Sequence, residues 1–344
     1  MSTESANIDI GTPGNYDYGK VIHASLLFYE AQRSGKLPAD NRIPWRGDSM
    51  LDDKGDNGED LTGGYFDAGD LVKFGFPMAY TVTVVAWGVI DYEDAYVKAG
   101  ELENVHKMIK WGTDYFLKAH TKERELYGQV GDGGPDHAYW GRPEDWPKDK
   151  KRPAYKITES APGSDLAGET AAAMAAASMV FKKSDPTYSA KLLTHAKQLY
   201  AFANEKRARY SDSIKEASGY YRSMNGYEDE LGWSAAWLLR ATNDSHYKTE
   251  FEKHWKDFNL GDLKDKAYAN ELGKTRFFWD DKTLGLQVLM AKVTGEEVYK
   301  KATENFMHFL TEVAPKTPKG MIFYAEMWGP LRHASNAALL ALQV

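Results

Sequence analysis

The sequence D-L-A-G-E-T-A-A-A-M-A-A-A-S-M-V-F occupies residues 165–181 and predicts an α-helix, because alanine has the highest helix propensity of all residues. Asp165 opens this run and is expected to cap the helix. On both sides of it, apolar residues recur with helical periodicity, while strand signals are few and short. Nine further helices are predicted over residues 18–34, 78–96, 102–119, 187–206, 229–240, 246–258, 281–293, 296–313 and 331–343. The sequence therefore predicts an all-α fold with about ten helices.

The connections between these helices alternate in length. Those after odd-numbered helices are long and rich in Trp, Tyr, Asp and Gly, whereas those after even-numbered helices are short turns such as residues 182–186 and 242–245. This alternation suits a ring of helical hairpins, because every long loop then lies on one rim. No composition shift or flexible linker divides the chain, so we expect one domain over residues 1–344.

Charge and composition exclude several classes of function. The net charge of −7, with both signs interspersed, argues against nucleic acid binding, which requires a basic face. No apolar run is long enough to span a bilayer, and residues 1–15 are polar, so no signal peptide is expected within this sequence. The lack of cysteine excludes disulfides and thiolate metal sites. Phosphate-loop, H-E-x-x-H and G-x-S-x-G motifs do not occur, so no organic cofactor is predicted.

The first long connection carries two carboxylates, Asp67 and Asp70, three residues apart among glycines and next to Tyr65. Aromatic rings beside carboxylates are typical of sugar-binding clefts, where rings stack on the sugar and acids handle hydroxyls and protons. The alternative is an ordinary surface turn with two solvated acids. The chain has 10 Trp and 21 Tyr, many of them in polar loops, and this composition favours a ligand site.

Other long connections carry candidates that also have simpler explanations. His137 and Trp140 could bind and stack on a ligand, or could be a loop histidine with a buried anchor. At a helix entrance, Trp328 and Arg332 suit stacking and the clamping of hydroxyls, although an arginine there is often only solvated. Residues 225–230 offer oxygen ligands for Ca²⁺, which takes about 6–8 oxygens. Acids also favour a first helical turn for electrostatic reasons alone.

Six ordered motifs cover the chain from residue 15 to its last residue. They read N-Y-D-Y-G-K-V-I-H-A-S-L-L-F-Y-E-A-Q-R-S-G-K-L-P, G-G-Y-F-D-A-G-D, H-A-Y-W-G-R-P-E-D, P-G-S-D-L-A-G-E-T-A-A-A, Y-E-D-E-L-G-W-S-A-A-W-L and W-G-P-L-R-H-A-S-N-A-A. As a set they resemble glycoside hydrolase family 9, and in particular its animal endo-β-1,4-glucanases of the termite type. The resemblance implies an (α/α)6 barrel, a six-hairpin toroid, with an open cleft on the rim of long loops. It also implies cleavage of cellulose-like β-1,4-glucans with inversion.

The resemblance assigns roles to individual residues. Asp70 matches the general base that activates water, and Asp67 matches the acid that helps to hold that water. Substrate contacts are expected from Tyr65, His137, Trp140, Trp328 and Arg332. A structural Ca²⁺ site is expected from Asn225, Gly226, Asp229, Glu230 and Asp280. The implied partners are cellulose, carboxymethylcellulose and cello-oligosaccharides, without nucleic acid or membrane, and we expect a secreted monomer.

Members of the family continue beyond the position that matches Val344. The resemblance places the general-acid glutamate and two further helices in that continuation, so about ten of the twelve barrel helices are expected here. Inversion requires both a base and an acid, and we therefore expect this polypeptide alone to be nearly inert. Three hypotheses follow: an endoglucanase with Asp70 as its base, a catalytically silent β-glucan-binding form, or an enzyme acting on another β-glucan.

Overall fold

The computed structural model describes residues 11–12, 15–261, 276–323 and 327–344. In these ranges the helices are α1 Tyr18–Ala31, α2 Gly75–Lys98, α3 Leu102–Ala119, α4 Gly133–His137, α5 Ser164–Phe181, α6 Pro186–Glu205, α7 Tyr210–Ser213, α8 Glu228–Thr242, α9 Ser245–Asp257, α10 Thr283–Thr294, α11 Glu297–His308 and α12 Pro330–Gln343. Short α4 and α7 lie within long connections, and the other ten correspond one to one with the predicted helices. The all-α prediction is confirmed. None of the helices described is long and apolar enough to cross a membrane.

The described part of the chain contains five short strands. Before α1 lie β1 Gly11–Thr12 and β2 Asn15–Tyr16, and in the connections lie β3 Lys73–Phe74, β4 Glu125–Val130 and β5 Ala154–Thr158. Strand β1 pairs with β2, and β3, β4 and β5 form an antiparallel sheet with Lys73 opposite Val130 and Leu126 opposite Ile157. The sheet joins the end of the first long connection to the second. The sequence shows few strand signals, and the connection between α3 and α5 nevertheless contains β4 and β5.

Helix α5 lies at the centre of the helix packing. All but two of its 18 residues are buried, and it packs against α2, α6 and α8. Small side chains permit this close approach: a Cβ added at Gly168 would lie 3.0 Å from the carbonyl oxygen of Glu230. The predicted cap of this helix was wrong. Gly163 is the N-cap, and Asp165 lies in the first turn, where its carboxylate accepts from the amides of Leu166 and Tyr210 (2.9 and 2.8 Å).

The long helices form two layers. Helices α2, α5, α8, α10 and α12 pack in succession, and α3, α6, α9 and α11 pair with α2, α5, α8 and α10 respectively. The partners bury one stripe each; in α3 the stripe includes Val105, Met108, Ile109, Gly112 and Phe116, which is the spacing of an amphipathic helix. One hydrophobic cluster contains residues from all ten long helices. In the inner layer, α5, α8 and α10 are buried on most sides, whereas α12 buries a single stripe.

The connection lengths follow the predicted alternation. Within the hairpins, the turns are short, and α8 and α10 end at residues with left-handed backbones, Asn243 (φ 56°) and Gly295 (φ 70°). Between hairpins, the chain runs through the long connections 32–74, 120–163, 206–227, 258–282 and 309–329. Each long connection leads into the N-terminus of an inner helix. The inner helices therefore begin at the rim where the candidate site residues lie.

Candidate active site

Asp67 and Asp70 lie in a tight turn with several internal hydrogen bonds. The amide of Asp70 donates to the carbonyl of Asp67 (2.9 Å), and the amide of Asp67 donates to the carbonyl of Val72 (3.0 Å). One carboxylate oxygen of Asp70 accepts from the amide of Val72 at 2.9 Å. Between the two acids, Ala68 has a left-handed backbone with φ 41°. Such a conformation costs an ordinary residue about 1–3 kcal/mol and is concentrated at functional sites.

The turn is also held by two other parts of the chain. The amide of Phe66 donates to the carbonyl of Gln32 at 2.8 Å. The amide of Leu71 donates to a carboxylate oxygen of buried Asp136 at 3.0 Å. Because Asp136 immediately precedes His137, this bond fixes the position of the turn relative to the histidine.

Asp70 is in contact with His137. The Nε2 atom of His137 lies 3.0 Å from Oδ2 of Asp70, with the Asp70 side chain 14% exposed and the His137 side chain 47% exposed. Burial raises the pKa of Asp70, and the nearby Asp136 carboxylate adds to that rise, while the bonds from His137 and the Val72 amide oppose it. The base candidate therefore has one oxygen held by the backbone and the other next to an imidazole that solvent can reach.

Asp67 has a different environment. The hydroxyl of Tyr221 lies between its two carboxylate oxygens, at 2.6 and 2.7 Å. Burial raises the pKa of Asp67 to about 7; the bond from Tyr221 lowers it, the charge of Asp70 raises it, and the charges of Arg332 and His137 lower it. Both carboxyl groups of the pair therefore have a raised pKa, and burial is the main cause for each.

A cavity of about 580 Å³ lies beside Asp67. Aromatic and apolar side chains dominate its wall, with Arg332 and Asn336 as polar members. Sugar rings are bound by aromatic faces with a few polar groups that fix their orientation. The cavity therefore has the composition expected of a site for a neutral ring-shaped ligand.

The long connections contribute one after another to this region. Asp67 comes from the first, His137 from the second, Tyr221 from the third and Trp279 from the fourth, and Arg332 lies in the first turn of α12 after the fifth. The Tyr221 and Trp279 rings contact each other with centroids 5.0 Å apart, and both line the cavity together with Asp67 and Arg332. The structure thus brings together five of the predicted residues: Tyr65, Asp67, Asp70, His137 and Arg332.

Three predicted aromatic residues differ in their exposure. Trp140 is 98% exposed and Trp328 is 73% exposed, so neither is the buried anchor considered as an alternative for Trp140. Tyr65 is only 7% exposed, and its hydroxyl donates to the carbonyl of Met108 at 2.8 Å. Tyr65 nevertheless lines the cavity beside Asp67, and its role in substrate binding stays a prediction.

The sequence analysis missed several residues of the site. Tyr221 bonds to Asp67, Tyr220 packs against the His137 ring with centroids 5.1 Å apart, and Asp136 holds the Asp70 turn. The two tyrosines are adjacent in a polar, Gly-containing loop, which is the same signal that singled out Trp140. Asp136 gave no such signal, because its role depends on contact with a residue 65 positions away.

A second group of acids lies at the start of α8. Glu230 and Glu169 are buried around the ammonium group of Lys282, at 2.8 and 3.4 Å. The backbone amide of Lys282 donates to Asp229 at 2.6 Å. Burial lowers the pKa of Lys282, but the charges of Glu230, Glu169 and Asp229 outweigh it and raise the pKa above its ordinary value. These acids thus share one internal cation.

The other residues of the predicted calcium site lie next to this group. Asp280 accepts from the amide of Met224 (3.1 and 3.2 Å) and from the amide of Asn225 (3.3 Å). The pKa of Asp280 is raised to about 7, mainly by burial; the charge of Lys282 opposes this rise and the charge of Asp229 adds to it. Gly226 has φ 98°, and its carbonyl accepts from the hydroxyl of Ser223 at 2.5 Å. Asn225, Asp229 and Asp280 are therefore linked through local bonds and mutual charge.

These observations define a class of protein: a barrel of helical hairpins whose long connections form an aromatic cleft around a pair of carboxylates. The chain belongs to glycoside hydrolase family 9, because the model of "Glycosyl hydrolase family 9" matches residues 18–344. The solved structures that it resembles have the (α/α)6 barrel fold, which confirms the predicted architecture.

Known members of the family are similar over nearly the whole chain. "Endoglucanase A" of Bacillus pumilus is 46% identical over 336 residues, covering 95% of this chain and 49% of the relative. "Endoglucanase 19" of Arabidopsis thaliana is 48% identical over 340 residues, covering 95% and 52%. The chain spans about half the length of these curated relatives. The endoglucanase of the termite Nasutitermes takasagoensis superposes with a TM-score of 0.89 at 56% identity, covering 95% of this chain and 72% of that chain.

Proposed function

We propose that this chain is an endo-β-1,4-glucanase that hydrolyses cellulose-like glucans with inversion. The relatives described above are named endoglucanases. Solved structures of a related cellulase and a related endoglucanase, 29–32% identical, are complexes with cellobiose, cellotriose or cellotetraose. The observation that carries the proposal is the pairing of Asp70 with His137 beside the Asp67–Tyr221 pair, at the edge of an aromatic cavity.

In this proposal, Asp70 is the general base. An inverting glycosidase uses one carboxylate to activate water on the face of the sugar opposite the leaving group. One oxygen of Asp70 accepts from the Val72 amide and the other lies next to His137, whereas both oxygens of Asp67 accept from Tyr221; such different environments suit different roles for the two carboxyls. Asp67 then helps to orient the water, while Trp140, Trp328, His137 and Arg332 bind glucose units.

The test is the release of reducing sugar from carboxymethylcellulose. Asp70→Asn should lower the rate by about 10²–10⁴-fold or more, because removal of a base or acid typically costs that much. Asp52→Asn, on an exposed part of the same long connection, is the matched control and should leave the rate unchanged. The anomeric signals of the first product, followed by ¹H NMR, should show the inverted configuration. Turnover that is measurable and equal in wild type and Asp70→Asn would contradict the proposal.

A second function is favoured by a different observation. Trp140 and Trp328 expose most of their surface and would give a binding platform for a glucan without any chemical step. Retention of the chain on insoluble cellulose, with no turnover on carboxymethylcellulose, lichenan or xyloglucan, would favour this silent β-glucan-binding form. Turnover on lichenan or xyloglucan alone would instead assign another β-glucan as substrate.

We further propose that Asn225, Gly226, Asp229, Glu230 and Asp280 bind a structural Ca²⁺ ion. Their carboxylate and carbonyl oxygens are the hard ligands that Ca²⁺ requires, and Glu230, which is 1% exposed, has a carboxylate oxygen without a hydrogen-bond partner. One ammonium group, that of Lys282, lies among several buried carboxylates, so a further cation would reduce their repulsion. The ion would supply charge balance and would join α8 to the connection before α10.

Thermal unfolding tests the calcium proposal. Addition of excess Ca²⁺ to chelator-treated protein should raise the Tm, because a ligand that binds only the folded state stabilises it. Asp280→Asn should abolish most of that increase, whereas the control Asp52→Asn should retain it. An identical Tm with Ca²⁺ and with chelator would show that Lys282 is the cation that balances this group.

A further inference from the structure

We infer that Asp70, Asp136 and His137 form a binding site for a divalent transition-metal ion such as Zn²⁺. Each of the three offers one ligand atom, and these atoms all lie within 4.8 Å of one another. Among the residues that the structure describes, this is the only set of three His, Asp or Glu side chains so closely grouped. The site is separate from the proposed calcium site, which lies at the start of α8.

To bind Zn²⁺, the three ligand atoms would have to move only modestly closer together. Ligand atoms around a four-coordinate Zn²⁺ are about 3.3 Å apart when the bonds are about 2.0 Å long. Oδ2 of Asp70 and Nε2 of His137 are already 3.0 Å apart. His137 is the exposed member, so an ion could enter from solvent, and its ring could turn toward Asp136 without disturbing the core.

Buried Asp136 supplies the second, independent observation. This residue is 2% exposed; its Oδ1 accepts from the Leu71 amide, whereas its Oδ2 is buried without a hydrogen-bond partner. The nearest cation, Arg152, reaches Asp136 Oδ2 only at 4.0 Å, and its guanidinium donates instead to Asp53 at 2.7 and 3.3 Å. A buried carboxylate oxygen without a partner is costly, and a metal ion would supply the missing interaction.

The donor set determines the class of ion. One imidazole nitrogen with two carboxylate oxygens suits Zn²⁺ and its transition-metal neighbours. Ca²⁺ and Mg²⁺ prefer oxygen-only sites, so they should not compete well here. The ion would occupy Oδ2 of Asp70, the group assigned above as the general base. It would therefore inhibit hydrolysis, and this consequence, unlike binding itself, depends on the proposed function.

Calorimetric titration of the whole chain with Zn²⁺, in a buffer containing millimolar Ca²⁺, tests the site without any substrate. Asp136→Asn and His137→Gln should each raise the Kd by at least about tenfold, the lower end of the loss seen when a metal site is disturbed. Asparagine can still accept from the Leu71 amide, so Asp136→Asn keeps the turn in place. Co²⁺ in place of Zn²⁺ should give an absorption band that both variants weaken.

The pair His120–His195, with Nδ1 atoms 2.8 Å apart, is the alternative zinc-binding group in the chain and provides the matched control. His195→Gln should leave the Kd unchanged if the inferred site is correct. Binding that survives His137→Gln, or that disappears in His195→Gln, would overturn the inference, as would the absence of any binding at millimolar Zn²⁺. Turnover assays on metal-free protein decide the proposed function separately, so failure of one proposal does not imply failure of the other.

Discussion

Two groups of carboxylates lie near the starts of inner helices, and their negative charges are compensated by different kinds of partner. Around Lys282, buried Glu169 and Glu230 share an ammonium that is itself fully buried. Around Asp67 and Asp70, the partners are instead a hydroxyl and a partly exposed imidazole next to a cavity. The first group is enclosed by helix packing and holds an internal cation, whereas the second faces space that a ligand can enter. The comparison therefore indicates a structural role for the first group and a chemical role for the second.

The largest expected effect is on the free energy of unfolding, and it concerns the buried ammonium group of Lys282. Lys282→Met should reduce the free energy of unfolding by about 3–5 kcal/mol, because removing one partner leaves buried charges uncompensated. Urea unfolding measures this loss. Lys98→Met, which breaks an exposed pair with Asp94 on α2, should change stability by less than about 1 kcal/mol. Adding Glu230→Gln to Lys282→Met should recover part of the loss, and equal losses in the single and double variants would argue against the pairing.

The second prediction concerns proton binding by Asp67, in the group of carboxylates that faces the cavity. Asp67 has a pKa raised from 3.8 to about 7, so its contribution to stability is fully present below pH 3.8 and is lost as the pH rises to 7. Over that window, Asp67→Asn should remove a slope of about 1.4 kcal/mol per pH unit from the free energy of unfolding. Urea unfolding at several pH values measures the slope. Asp52→Asn should keep the wild-type slope, and parallel curves for wild type and Asp67→Asn would contradict the assignment.

The smallest expected effect lies at the edge of the cleft. Trp140→Ala should weaken binding of cello-oligosaccharides by about tenfold, or 1.4 kcal/mol, through the loss of one stacking face. Stability should change by no more than about 0.5 kcal/mol, because Trp140 is 98% exposed. Calorimetry and urea unfolding separate the two effects. Tyr18→Ala, an exposed aromatic at the start of α1, should leave binding unchanged, and a similar loss in both variants would exclude specific stacking.

The helices could be predicted because their buried residues recur in the sequence with helical periodicity. The stripe on α3 and the alanines of α5 are local signals, and both helices were found within a residue or two. The start of α2 was set three residues late, at Met78 rather than Gly75, although Pro77 is well tolerated in a first helical turn. Strand β4 was missed because all six of its residues are buried, so no alternation of polar and apolar residues marks it.

The site could be predicted only where its polar and aromatic residues lie close together in a short sequence motif. Asp67, Asp70 and His137 fall in such motifs, and the structure brings them together. Tyr221 bonds to a residue 154 positions away, a contact that no local pattern encodes. Tyr65 lies inside such a motif, but the motif does not show that its hydroxyl donates to the carbonyl of Met108.

The alternation of connection lengths has a consequence for how this architecture can vary. Each hairpin buries its own stripe against its neighbours, whatever the length of the loop that leads into it. Each side of the cleft is thus formed by a different long connection. One connection can be lengthened or exchanged while the helices beneath keep their packing. New ligand preferences can then arise one wall at a time.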